Sequence, residues 1–141
     1  MNGVDHHIIY QALAPTTTWR VSREEFLKFV TSNNDALAPL LDMTMEMYRL
    51  HGDRILNLEY RTVRERIISF LLSTSERFGK KTSDGLLIEV PLRHQDIASS
   101  INATRETTSR ELSALERKGL LSTKQSYILL KDLPALNKHL S

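Results

Sequence analysis

Four residues combine types that can read a pattern of hydrogen-bonding groups: Arg105, Glu106, Ser109 and Arg110. A guanidinium can donate two parallel hydrogen bonds to O6 and N7 of guanine, and a carboxylate can accept from N4 of cytosine. Their spacing puts them on the first two turns of a helix predicted over residues 104–118. They point away from a stripe of Thr108, Leu112 and Leu115, which recurs at four- and three-residue spacing and marks the buried face. Taken singly, each is an ordinary solvated helix residue. Together, at the N-terminal end of one helix, they suit an end that meets base edges in a major groove. Thr104 is a suitable N-cap, and threonine hydroxyls beside a helix N-terminus suit phosphate oxygens.

Such a helix needs a second one to carry it. Residues 94–101 predict a short helix with Ile97 and Ile101 facing the core and Ala98 small enough for a close crossing. Asn102 can take the left-handed conformation of a tight turn, and Gly119 ends the second helix. Beyond it, Leu120-Leu121 and Tyr127-Ile128-Leu129-Leu130 predict two strands around a polar loop, residues 122–126, with Lys124 at the tip able to meet a phosphate. Asp132 opens a short terminal helix. Upstream, Val63, Ile67, Phe70 and Leu71 line one face of a helix over residues 60–79, with Gly79 as its stop. A loop over residues 80–85 with an Asp84-Gly85 turn follows, then one strand over 86–90, ended by Pro91. The pattern is a winged helix-turn-helix over residues 60–141.

A long helix is predicted over residues 35–58. Leu37, Leu41, Thr44, Tyr48, His51, Ile55 and Leu58 alternate four- and three-residue steps, and Leu40, Met43, Met47 and Leu50 widen the face. That is a heptad seam suited to pairing with its own copy; an ordinary core helix is the other reading. Pro39 bears on where it starts. Residues 1–33 suggest the end of a larger β domain. Ile8-Ile9-Tyr10 and Trp19-Arg20-Val21 are candidate strands, and Ser22 with Glu25 forms a capping box that opens a short helix through Phe26, Leu27, Phe29 and Val30. The fold class is mainly α with small β elements.

Composition narrows the alternatives. The absence of cysteine excludes a disulfide scaffold, a thiolate zinc site and a cysteine-bound cluster, and suits a reducing cytoplasm. No apolar run reaches membrane-spanning length. Residues 1–58 hold 5 Lys/Arg against 7 Asp/Glu, whereas residues 59–141 hold 14 against 10, so the basic excess lies with the helix-turn-helix. His6-His7, His51, His94 and His139 lack metal-ligand spacing, and Glu24-Glu25 lies on a solvated helix face. With no Gly-x-Ser-x-Gly elbow or phosphate loop, enzymatic activity is not expected, and neither is a cofactor. A winged helix used only for protein–protein contact is the rival reading, but it would not need Arg105, Glu106 and Arg110 together.

The run RHQDIASSINATRETTSRELSALERKGLL resembles the helix-turn-helix signature of the Crp/Fnr family of transcription regulators, and ILLKDLPAL resembles that family's usual end. RTVRERIISFLLSTSERFG is similar to the first helix of its DNA-binding domain, and NNDALAPLLDMTMEMYRLHGDRILNLEY to its dimerisation helix. Residues 10–30 are similar to the last strands of its β-roll sensor domain. The resemblance implies a β-roll remnant over residues 1–33, a dimerisation helix over 34–59 and a winged helix-turn-helix over 60–141. It also implies a homodimer on palindromic double-stranded DNA with GTGA-like half-sites, and it leaves a contact with RNA polymerase open. Arg105, Glu106 and Arg110 match the family's base readers, and Arg93, Gln95, Thr104 and Thr107 match phosphate contacts. Thr108 stands where the family usually has an apolar residue such as valine. No Arg-Gly-Glu cassette occurs, and His51 and Gly52 stand where a hydroxyl pair would reach a nucleotide base. Sensing of a cyclic nucleotide or an iron–sulfur cluster is therefore not expected. The chain reads as a piece of a longer regulator or as a short member regulated otherwise.

Overall fold

The computed structural model describes residue 12 and residues 14–140. Ser22 opens the first helix, α1 (Arg23–Ser32), through the anticipated capping box. Glu25 N donates to Ser22 Oγ at 3.1 Å, while Ser22 N and Oγ donate to Glu25 Oε2 at 3.2 and 2.7 Å. The strand expected at residues 19–21 does not form. This stretch is irregular, Trp19 is 96 % exposed, and no neighbouring strand among the described residues offers it a ladder. The strand expected at residues 8–10 lies outside the described residues, as does the His6-His7 pair.

Asn33 caps a single 3-10 turn (Asn34–Ala36), which leads into the 24-residue helix α2 (Leu37–Tyr60). Pro39 falls in the first turn, where its missing N–H has no intrahelical acceptor to lose. The helix is about 36 Å long. None of its residues is buried, and Leu41, Tyr48 and Ile55 on the seam are 57 %, 77 % and 62 % exposed. The ordinary core-helix reading of this segment therefore fails within one chain.

The core lies in residues 63–140. Thr62 and Glu65 form a second capping box that starts α3 (Val63–Phe78). Four strands form one antiparallel sheet: β1 (Gly79–Thr82), β2 (Gly85–Ile88), β3 (Leu121–Lys124) and β4 (Tyr127–Leu130), in the order β1-β2-β4-β3. Ile67, Ile68 and Leu71 of α3 pack with Ile88, Leu121, Ile128 and Leu130 of the sheet. Leu136 of the terminal helix α6 (Leu133–Lys138), capped by Asp132, joins the same cluster.

Residues 79–82 form a strand rather than the expected loop; the segment is exposed throughout and lacks the apolar alternation that marks a half-buried strand. Gly79 is not a left-handed helix stop. Its φ is −86°, and glycine is needed because a Cβ would collide with the carbonyl oxygen of Ser75. Gly85, with φ +143°, likewise lies against the backbone of Leu130 in the adjoining strand.

Candidate nucleic-acid interface

Two helices cross on the core. In α4 (His94–Ser100) the residues Ile97 and Ala98 are buried, and in α5 (Arg105–Arg117) Thr108, Leu112 and Leu115 are. Between them Asn102 adopts φ 52°, as the tight turn requires. Thr104 caps α5: Thr107 N donates to Thr104 Oγ1 at 3.2 Å, and Thr108 N to Thr104 O at 3.0 Å. Gly119, φ 72°, closes the C-terminal end.

Arg105, Glu106 and Arg110 are exposed. They have no hydrogen-bond or ion-pair partner among the described residues, so their donors and acceptors are all available outward. At about 100° per residue, Glu106 and Arg110 lie opposite the buried stripe. Contrary to expectation, Arg105 and Ser109 do not point directly away from it but lie nearer to its edge. Arg105 remains exposed as the first residue of the helix. Ser109 is half-buried, and its Oγ lies 2.7 Å from Nδ1 of His94 at the start of α4. Ser109 thus ties the two helices together rather than standing free beside the other three.

The expected phosphate contacts surround this face. Arg93 is exposed, and its backbone N–H donates to Asp96 Oδ2 at 3.0 Å. Gln95 is exposed and donates from Nε2 to Ser99 Oγ at 3.2 Å. Thr104 Oγ1 donates to Thr107 Oγ1 at 3.0 Å, which leaves the Thr107 hydroxyl proton free for an outside acceptor. The first backbone N–H groups of α5 have no intrahelical acceptor and add partial positive charge there. Lys124 is exposed at the wing tip, where Gln125 and Ser126 have φ 50° and 69°, the two left-handed residues of a tight hairpin.

Several bracing contacts were not visible in the sequence. Arg64 of α3 meets Glu111 of α5 at 2.7 Å, with the carboxylate side chain only 18 % exposed. Arg66 of α3 donates to carbonyls on both sides of the domain. Glu116 Oε1 accepts from the Thr123 backbone N–H at 2.6 Å, and Ser126 O from Leu92 N at 2.7 Å, fixing the wing to α5 and to the segment before α4. These residues are 5 to 47 positions apart, and helical periodicity does not announce them. Among the described residues no group of three His, Asp or Glu side chains could hold a metal ion, and no helix is long and apolar enough to cross a membrane.

A helix pair with an open polar face and a hairpin wing define a winged helix-turn-helix domain, joined to a long helix with an exposed apolar face. Residues 65–139 match the Crp-like helix-turn-helix domain, and the chain belongs to that Crp/Fnr family. It is 33 % identical over 104 residues to a global nitrogen regulator of Nostoc sp. PCC 7120, a match covering 69 % of this chain and 47 % of that protein. It is 28 % identical to the nitrogen fixation regulation protein FixK of Azorhizobium caulinodans, over 96 % of this chain and 56 % of that one. Among solved structures, a CooA variant of Carboxydothermus hydrogenoformans superposes with a TM-score of 0.77 at 26 % identity, over 84 % of this chain and 55 % of its own. FixK2 of Bradyrhizobium japonicum gives 0.75 at 27 %, over 86 % and 60 %. The chain thus spans about half the length of these curated relatives. Their names are those of regulators rather than enzymes, in agreement with the absence of catalytic motifs.

Proposed function

We propose that this chain binds double-stranded DNA as a sequence-specific transcription regulator. Two copies pair along α2 and present their α5 helices to successive major grooves of a palindrome, one turn of about 34 Å apart. The observation that carries this reading is the set of Arg105, Glu106 and Arg110, unpartnered and exposed at the N-terminal turns of a helix braced from behind by Glu111 and Ser109. An Arg–Glu–Arg set of this kind suits a half-site of GTGA type: guanidinium groups to guanine O6 and N7, the carboxylate to cytosine N4 on the opposite strand. Arg93, Gln95, Thr104, Thr107 and Lys124 hold the phosphates on either side. The exposed seam from Leu37 to Leu58 supports the pairing.

Selection of binding sites from a random duplex library tests base reading, half-site sequence and spacing together. The expected result is a palindrome of GTGA-like half-sites. The logarithm of its affinity should fall linearly with the logarithm of salt, by about 0.9 per phosphate neutralised. Equal affinity for all duplexes, or none at low salt, would leave the domain as a protein–protein module and end the DNA-reading proposal.

A further inference from the structure

We infer that Arg66 is the positioning residue that fixes the angle between the pairing helix and the DNA-reading helix. Its guanidinium reaches two separate parts of the chain. Nε donates to Arg61 O at 3.1 Å, and Nη1 donates to Ile101 O at 2.9 Å and to Asn102 O at 3.4 Å. Arg61 is the first of the two residues between α2 and α3, extended at φ −104° and ψ 143°, where the direction of the long helix is set. Ile101 and Asn102 form the turn between α4 and α5, where the direction of the reading helix is set. One planar group therefore joins the two corners of the molecule.

Alpha-2 buries no residue of its own, and an open cleft of about 750 Å³ lies between its second half and the α3 and Ile101 side of the domain. Packing holds the long helix only lightly, through half-buried Leu50, Asn57 and Leu58, so polar ties must add to it. Besides Arg66, the ion pair linking the two sides is Arg77 with Glu46, at 3.7 Å between well-exposed side chains, which solvent screens. Arg66 is half-buried and has no carboxylate partner among the described residues. Its positive charge is met by carbonyl oxygens alone, which makes those charge-assisted bonds the natural anchor of the corner. A lysine keeps the charge but has one nitrogen, and so cannot span acceptors that lie off Nε and Nη1 at once.

The angle can be read without DNA. The chain contains no cysteine, so Arg54→Cys on α2 and Ser113→Cys on α5, both exposed positions, can carry spin labels with no background. Labelled chain diluted into excess unlabelled chain reports the distance within one copy. The expected result is one narrow distance distribution in the parent and a broad or shifted one in Arg66→Lys and Arg66→Met. The thermal midpoint of each variant, read by circular dichroism, identifies those that remain folded; Arg66→Lys retains the helix-forming stem and the charge if Arg66→Met does not fold. An unchanged distribution in a folded variant overturns the inference.

The second arm rests on the DNA-binding proposal. Between the preferred palindrome and one with two base pairs added at its centre, the affinity ratio should shrink about tenfold in Arg66→Lys, the loss of one or two charge-assisted bonds. The salt slope should stay unchanged, because Arg66 touches no phosphate. A purely structural loss would weaken both duplexes equally, and an unchanged ratio counts against the inference. Failure of the parent to prefer any duplex would sink the DNA reading but leave the distance result standing.

Discussion

The Thr108 hydroxyl is fully buried on the inner face of α5, and its Oγ1 has no hydrogen-bond partner. The residue fits by shape, so α5 packs normally, but a desolvated oxygen is left unsatisfied. Thr108→Val removes that oxygen at nearly constant volume. It should raise the unfolding free energy by about 1 kcal/mol, read as a higher denaturant midpoint at unchanged slope, with DNA affinity unaltered. Arg105→Ala acts in the opposite domain of properties. It should leave stability unchanged, weaken specific binding by ~1–3 kcal/mol and flatten the preference at one base pair, as measured by titration against single-substitution duplexes. At this scale the sequence was legible where chemistry is local. The N-cap Thr104, the left-handed Asn102 and the outward trio depend on neighbours within one or two turns. Arg66, the Arg64–Glu111 pair and the His94–Ser109 bond depend on which helices meet, and nothing in their spacing announces it.

Among the elements, helices with caps and a periodic face were readable, and exposed strands were not. Residues 79–82 form a strand because β2 offers it a ladder, with no apolar face to declare it. Trp19-Arg20-Val21 is the converse, strand-forming residue types without a partner. Capping gives α3 a measurable pH response. The Thr62 hydroxyl and then its backbone N–H, at 2.8 and 2.7 Å, hold the Glu65 carboxyl below the ordinary 4.5, with the Arg61 charge adding a smaller pull. A lowered native pKa means that the folded state binds fewer protons than the unfolded chain. This stabilisation is complete above about 4.5 and is lost as the pH falls through the lower native value. Glu65→Gln should therefore flatten stability against pH below 4.5, as measured by chemical denaturation across an acid series; an unchanged acid slope would contradict the cap's role. Thr62→Ala removes the hydroxyl, which donates to Glu65 Oε2 and accepts from Glu65 N, keeps the backbone bond, and should cost about 1 kcal/mol at neutral pH.

For the whole molecule, the decisive feature is that the core and the proposed pairing surface share no residue. The buried cluster begins at Ile67, whereas the seam ends at Leu58. Leu41→Glu with Ile55→Glu should therefore give a chain that sediments as a monomer, keeps the thermal midpoint of its core and binds single half-sites at most. A dimer surviving this double substitution would move the pairing surface elsewhere. The separation also shapes the response to dose. Under the proposed pairing, at concentrations below the dimer's dissociation constant, sites fill in proportion to the square of the chain's concentration, so doubling its amount raises sparse occupancy about fourfold. With that pairing, the exposed apolar length of α2 would act as a threshold, turning a modest change in synthesis or turnover into a sharper change in output.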